Sequence, residues 1–190
     1  MADPRFELHI RPMFRAIDRE HMLSRFDLWS YGHVVANIDV LLSRLSTDMP
    51  TVSSGGPWPP EWVDLFRRWK DSGCKQLELG AATYTRSQVG NKFVIVAEGT
   101  FPAGDYRGWL QMAEEAGQER TYFLYFDRPD VPGSGAPQRF SFRERYPVTD
   151  TRSVVVRDAG GDHVLAATSA PAHLKSLESM SDLQFFSPAR

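Results

Sequence analysis

The five histidines and the one cysteine, Cys74, are the side chains of this 190-residue chain best suited to bind a metal or attack a substrate. No two histidines stand three or four residues apart, the spacing that places two ligands on one helix face. A zinc site of neighbouring residues is therefore not predicted, although His21 and His33 could converge in space. Cys74 is expected to follow a helix C-terminus, where the dipole disfavours a thiolate and raises the thiol pKa. It is a poor candidate nucleophile.

Sequence motifs for other chemistries are also missing. The chain contains no Walker A, G-x-S-x-G or G-x-G-x-x-G segment, and Gly133-Ser134-Gly135-Ala136 lacks the glycine spacing of a phosphate-binding loop. The acidic residues of the second half are scattered, so no carboxylate pair for acid–base catalysis is selected, and a solvated face is the favoured interpretation. No catalytic residue is predicted.

Two helices in the first part of the chain would position its polar residues. Apolar residues from Val34 to Leu45 recur at helical spacing and predict one amphipathic helix over that range. A second helix is predicted from Pro59 to Trp69, with proline at its start and Gly73 placed to end it. These elements predict a helical domain over residues 1–75.

After Lys75 the pattern changes from helical to alternating, which predicts strands. Gly90-Asn91 and Gly160-Gly161 are hairpin signals, because both turns need residues that tolerate positive φ. The fold class is therefore predicted as α+β, with an antiparallel, immunoglobulin-like β-sandwich over residues 76–170 and a tail over 171–190. The predicted strands are Gln76–Leu79, Ala82–Gln88, Lys92–Thr100, Gly108–Gln111, Thr121–Asp127, Arg139–Tyr146, Ser153–Asp158 and His163–Ala167.

Composition limits the partners and the compartment. The formal net charge is −2 and the Lys and Arg residues do not cluster, so binding to nucleic acid is not expected. No apolar run approaches the roughly 20 residues that cross a bilayer, and the N-terminus lacks the pattern of a signal peptide. A cytoplasmic protein with no membrane partner is expected. One cysteine excludes an internal disulfide, so packing must hold the fold together.

The first seventy-odd residues resemble a class I cytochrome c domain. That family has an I-x-P-x-F/L segment, a C-x-x-C-H haem-attachment motif, a helix, an M-P turn and a helix that ends in W-x-x-x-G. The positions that carry the resemblance are Ile10, Pro12, Phe14, Met49, Pro50, Glu61, Trp69 and Gly73. The resemblance implies a small helical electron-transfer plan.

The haem-attachment motif itself is replaced. If Phe14 is aligned with the family's apolar residue, Asp18 and His21 stand where the cysteines would be, and Met22 stands where the proximal histidine would be. Covalent haem needs two thiols and that histidine, so the resemblance implies a haem-less domain. Met49 alone keeps the family's distal-ligand position.

Three interpretations of this former haem site follow from the resemblance. The cavity is filled by side chains, and Met49 is a packing residue among Met22, Trp29 and Trp58. Alternatively, His21 and Met49 bind a non-covalent haem or a copper ion, since imidazole and thioether are suitable ligands. In the third interpretation, the emptied pocket takes a small apolar ligand.

The function expected from these observations is that of a non-catalytic accessory or binding protein without a cofactor. Its expected partner is another protein, such as a redox enzyme or metalloenzyme, by analogy with cytochrome-like domains. One alternative is an electron-transfer or metal-binding protein that uses His21 and Met49. A second alternative is an enzyme with a site between the two domains.

Overall fold

The computed structural model describes residues 3–50, 55–113, 118–131, 133, 135–166 and 168–169. The chain divides into two compact units, unit 1 (Met1–Leu77) and unit 2 (Glu78–Arg190). Helices lie in unit 1 and strands in unit 2, so the predicted α+β class is confirmed. The predicted tail 171–190 lies outside the described residues. Within the described part of the chain, no helix has the length and apolar character needed to cross a bilayer.

Unit 1 is built from short helices. In the part of this unit that the structure describes, a π-helical turn at Phe6–Ile10 and a 3-10 turn at Arg11–Met13 precede four α-helices. The last of these agrees with the helix predicted from Pro59 to Trp69, and Gly73 follows it with φ +87°, as a helix-ending glycine should. The four helices are α1 (Ala16–Met22), α2 (Tyr31–Ala36), α3 (Ile38–Leu45) and α4 (Pro60–Asp71).

The prediction of one helix over Val34–Leu45 is wrong, because Asn37 separates α2 from α3. Asn37 has φ −116° and ψ 16°, outside the helical region. Its Nδ2 donates a hydrogen bond to the carbonyl oxygen of His33 at 2.9 Å. Asparagine side chains compete with the backbone for such carbonyls, which makes asparagine a common residue at helix ends. The apolar periodicity continues across the break and therefore did not reveal it.

The core of unit 1 is aromatic. Phe66 and Trp69 of α4 are fully buried and contact each other with ring centroids 5.6 Å apart. The Trp69 indole nitrogen donates to the carbonyl oxygen of Lys75 at 2.7 Å, which fixes the chain after α4. The buried cluster comprises Phe6, Ile10, Met13, Phe14, Leu28, Val34, Leu41, Leu45, Trp58, Val63, Phe66 and Trp69.

The described residues of unit 2 form two β-sheets. Their strands are β1 (Glu78–Leu79), β2 (Thr83–Val89), β3 (Lys92–Phe101), β4 (Arg107–Met112), β5 (Glu119–Asp127), β6 (Gln138–Pro147), β7 (Ser153–Asp158), β8 (Gly161–Leu165) and β9 (Thr168–Ser169). In the first sheet, β5 pairs with β1, β4 and β7, and β8 pairs with β7; the second sheet has the order β6-β3-β2-β9. Side chains from both sheets form one hydrophobic core, which includes Ile95, Leu124 and Val154.

The predicted purely antiparallel pairing is wrong for two strand pairs. β5 and β7 are parallel, with Thr121 opposite Val155, and β2 and β9 are parallel as well. The cause is the path of the chain, because the strand between β5 and β7 pairs with β3 in the other sheet. The chain therefore crosses from the first sheet to the second and back again between β5 and β7, and β7 runs in the same direction as β5. Alternation along a strand predicts which residues face the core, but not which strands are neighbours.

Candidate functional site

A pocket in unit 1 is the candidate functional site. Its cavity has a volume of about 330 Å³. Most of the residues that line it are apolar, and several of these also belong to the buried core of the unit. The apolar lining comprises Phe14, Met22, Phe26, Leu28, Val40, Leu41, Leu45, Met49, Pro50 and Trp58, and the polar lining comprises Asp18, His21, Arg25 and Arg44.

One wall of the pocket is a face of α1 and the turn after it. Asp18, His21, Met22 and Arg25 all line the cavity. Their spacing of i, i+3, i+4 and i+7 places residues on a single side of a helix. α1 is held at its start because Asp18 Oδ2 accepts a hydrogen bond from the Arg15 backbone nitrogen at 3.1 Å. A carboxylate in the first turn also faces the positive end of the helix dipole.

Another part of the lining comes from α3 and the segment that follows it. Val40, Leu41, Arg44 and Leu45 line the cavity from two adjacent rows of this helix. Leu41 and Leu45 are buried, whereas Val40 is 61% exposed. Met49, which is half-buried, continues the wall beyond the helix end. The exposed Val40 therefore stands at the opening, and the two leucines stand at the interior.

A network of polar contacts fixes the segment between α1 and α2. Arg19 donates from Nε to Asp27 Oδ1 at 2.7 Å and from a terminal nitrogen to Oδ2 at 2.8 Å. The Arg19 hydrogen bonds are the main reason that the pKa of Asp27 lies below its ordinary value. The Trp29 indole donates to the Phe14 carbonyl oxygen at 2.9 Å. These contacts hold the ends of the segment that brings Leu28 into the pocket.

The charges around the pocket are unequally neutralised. Asp18 receives two hydrogen bonds from the Arg15 guanidinium, at 2.8 and 2.7 Å. Arg44 pairs with Asp48, and both side chains of that pair are more than half exposed. Arg25 forms no ion pair with any residue in the described part of the chain and is exposed. The pocket opening therefore carries a net positive charge.

His21 and Met49, the residues that sequence analysis singled out as metal ligands, line the same cavity. The cavity thus offers one imidazole and one thioether to a common space. Asp18 also lines it, but both of its carboxylate oxygens already accept hydrogen bonds from Arg15. Among the described residues, no group of three or more His, Cys, Asp or Glu side chains is placed to hold a metal ion. The donor set fits a two-ligand site and lacks the further ligands of a closed protein site.

His33 does not line the pocket that His21 lines. Its Nδ1 accepts a hydrogen bond from the Asp27 backbone nitrogen at 3.1 Å.

The pKa of the Cys74 thiol is raised, as predicted. The main cause is burial of the thiol, and the positive charge of Lys70 opposes this increase. His173 lies outside the described residues.

Sequence reasoning missed Arg25 and Arg44 as pocket residues. Both are arginines, and a solvated surface position is the ordinary place for a charged residue. The signal that could have found Arg25 is its spacing from His21 and Met22, which continues the α1 stripe. Arg44 stands one helical turn after Val40 and Leu41, which also line the pocket, and shares their side of α3. Neither spacing alone separates a pocket residue from a surface residue.

A second polar cluster surrounds Asp158 in unit 2. Its side chain is only 2% exposed and accepts hydrogen bonds from the Tyr84 hydroxyl at 2.7 Å and the Gly160 nitrogen at 2.7 Å. His163 Nε2 lies 2.9 Å from the same carboxylate. The solvated face predicted for the acidic residues is therefore wrong for Asp158. Its bonds join β2, β7 and β8, which is a structural role.

Comparison with protein-family models, with curated protein sequences and with solved structures gives no match. The functional interpretation of the pocket therefore follows from its geometry and chemistry.

Proposed function

We propose that this chain is a non-catalytic binding protein and that unit 1 takes up a small, largely apolar ligand in its pocket. The observation that carries the proposal is an apolar cavity of about 330 Å³ beside a closely packed aromatic core. This volume falls within the roughly 300–1,000 Å³ typical of ligand pockets. Protein interiors otherwise leave few voids larger than a water molecule.

The lining of the cavity suits such a ligand. Phe14, Leu28 and Trp58 are each at most 7% exposed, so the apolar surface that they present lies inside the protein. Met22 and Met49 add two flexible, polarisable side chains, which adapt to ligands of different shape. A ligand that removes this surface from water gains roughly 25 cal/mol per Å² of buried apolar area.

The test uses the neutral fluorescent probe N-phenyl-1-naphthylamine and a substitution at the pocket opening. Val40→Trp should lower probe affinity by about tenfold or more, because the indole would occupy the volume that the probe needs. Val40 is exposed, so the substitution should leave the fold intact. The matched control is Val164→Trp on β8, where the valine is 74% exposed and does not line the pocket.

Wild-type protein and Val164→Trp should both bind the probe saturably, with equal affinity. The proposal is wrong if wild-type protein shows no saturable binding, or if Val40→Trp binds as tightly as wild type. Circular dichroism of all three proteins would establish that each is folded.

A non-covalent haem or copper site is the second candidate function, favoured by the shared cavity of His21 and Met49. Covalent haem does not fit, because Asp18, His21 and Met22 stand at the attachment positions. For the non-covalent alternatives, His21 would supply an imidazole nitrogen and Met49 a thioether sulfur. Titration with haem and with Cu(I) tests this candidate, since His21→Ala and Met49→Ala should each abolish binding if both residues are ligands.

A role as an accessory protein for a redox enzyme or metalloenzyme is supported by exposed apolar side chains near α1. Ile17 is 48% exposed and Leu23 is 52% exposed, and α1 itself has no buried residue. Together with the sequence resemblance, these features favour a haem-less cytochrome c-like unit that docks on another protein. Recovery of a stoichiometric partner by wild-type protein, lost in the double variant Ile17→Ser with Leu23→Ser, would support this role.

A further inference from the structure

We infer that the ligand of the unit 1 pocket is an apolar monocarboxylic acid, whose carboxylate pairs with Arg25 and Arg44 at the opening. This inference rests on the proposed function, since it names the chemical class that the same pocket takes. Both arginines line the cavity whose interior is formed by apolar side chains. An apolar body and a single anionic group would together satisfy both parts of the site.

The ion pairs of the pocket lining indicate that the ligand carries a negative charge. Asp18 is the acidic residue of the lining, and Arg15 occupies both of its oxygens from outside the pocket. A cationic ligand would therefore have to compete with Arg15 for the one carboxylate of the pocket lining. Arg25 has no ion-pair partner among the described residues, so an anion there would gain a pairing without breaking one.

The ion pair of Arg44 bears on how many negative charges the ligand carries. Its partner Asp48 is 52% exposed, and Arg44 itself is 62% exposed. Exposed pairs of this kind are weak, so Arg44 can turn from Asp48 to a ligand at little cost. With Arg44 balanced by Asp48 and Asp18 balanced by Arg15, Arg25 leaves one positive charge, which one carboxylate matches.

The geometry of the arginine guanidinium groups indicates which anionic group the ligand presents. Arginine presents a planar fork of donors, which binds a planar carboxylate through two parallel hydrogen bonds. Arg25 belongs to the turn after α1 and Arg44 to α3, and both line the cavity. A carboxylate that accepts from both guanidinium groups would leave its apolar chain to contact the apolar lining.

The test compares octanoate with octanamide, which has the same chain and no charge, as competitors of N-phenyl-1-naphthylamine. Wild-type protein should bind octanoate about tenfold more tightly than octanamide, the size expected for a partly exposed charge-assisted pair. Arg25→Gln should reduce the octanoate-to-octanamide affinity ratio to near one, and Arg44→Gln should reduce it in part. The preference should also fall as salt concentration rises.

The matched control is Arg67→Gln, because Arg67 is also exposed and pairs with Asp64, but it does not line the pocket. It should keep the wild-type ratio. Equal affinities of wild-type protein for octanoate and octanamide, or an unchanged ratio in Arg25→Gln, would overturn this inference and leave the apolar pocket intact. Absence of probe binding by wild-type protein would instead overturn the proposed function.

Discussion

Replacement of Asp158 by alanine should destabilise unit 2 far more than replacement of any surface carboxylate. Asp158 ends β7, and its buried side chain accepts hydrogen bonds from Tyr84 of β2 and from the Gly160 nitrogen in the next turn. His163 of β8 contacts the same carboxylate at 2.9 Å. Alanine would remove these bonds and leave the Tyr84 hydroxyl without its acceptor.

The expected loss in free energy of unfolding follows from these contacts. Hydrogen bonds to a charged group contribute about 1.5–3 kcal/mol each, and bonds that share one carboxylate are not additive. Asp158→Ala removes several such bonds together and leaves the Tyr84 hydroxyl without its acceptor, so a loss of about 3–5 kcal/mol is expected. Asp158→Asn keeps the shape and one carbonyl oxygen, so about 1–3 kcal/mol is expected.

The assay is pulsed hydrogen exchange with mass spectrometry at increasing urea, because peptides from the strands report unit 2 separately from unit 1. The matched control is Asp162→Ala, four residues along the same hairpin. Asp162 is 55% exposed and pairs with Arg157 at 3.2 Å. An exposed pair contributes about 0–1 kcal/mol, so this control should stay close to wild type. A loss in Asp158→Ala no larger than the loss in Asp162→Ala would refute the reasoning.

The pH dependence gives a second readout of the same carboxylate. Burial alone would raise the pKa of Asp158, but the hydrogen bonds from Tyr84 and His163 outweigh it and lower the pKa below 3.8. A lowered folded-state pKa means that this carboxylate stabilises unit 2 above pH 3.8 and ceases to do so as the pH falls further. The stability difference between wild type and Asp158→Asn should therefore shrink below that pH. A constant difference down to pH 2 would contradict the assignment.

Four further outcomes can be measured by urea unfolding or thiol labelling. Met49→Ala should cost less than about 1.5 kcal/mol, below the roughly 2–5 kcal/mol of a core methionine, because Met49 is half-buried beside a cavity. Phe66→Ala should cost about 3–5 kcal/mol, because its ring is fully buried among aromatic neighbours. Gly80→Ala should cost about 1–3 kcal/mol, since a Cβ there would meet the Phe126 ring, whereas Gly104→Ala should be nearly neutral. Cys74 should react with iodoacetamide more slowly in the folded protein than in urea, because burial raises its thiol pKa.

Much of the secondary structure could be predicted from periodicity, because periodicity follows directly from burial. Tyr122, Leu124 and Phe126 alternate along β5 and all lie in the core of unit 2. Turn chemistry was equally informative, since Gly90 and Gly161 have φ +58° and +114°. The parallel β5–β7 pairing could not be predicted in this way, because it depends on where the chain leaves one sheet and enters the other.

The predictions for two polar residues, Asn37 and Asp158, are wrong for opposite reasons. Asn37 interrupts a helix whose apolar pattern is continuous. The side-chain amide of this one residue bonds to the His33 carbonyl oxygen, and this local hydrogen bond outweighs the helical spacing of the apolar residues around it. For Asp158, the general rule predicts a solvated surface position, because isolated carboxylates usually are solvated. Its position along the strand indicates the opposite, since Val154, Val156 and Asp158 alternate along β7 and all three are buried. A charged residue in phase with buried valines predicts a satisfied buried charge.

The pocket belongs to a class of feature that a sequence pattern constrains only in part. His21 and Met49 were brought to attention by their alignment with a haem-binding pattern, and both line the cavity. The cavity itself is the volume left over when α1, α3 and the Trp58 segment pack, and that remainder depends on side-chain sizes from three separate stretches. Arg25 joins the site because one further helical turn carries the α1 stripe to the opening. The charge that selects a ligand is thus set by residues that no metal- or haem-binding pattern includes, and substitutions at Arg25 should change ligand preference without changing the helices that form the pocket.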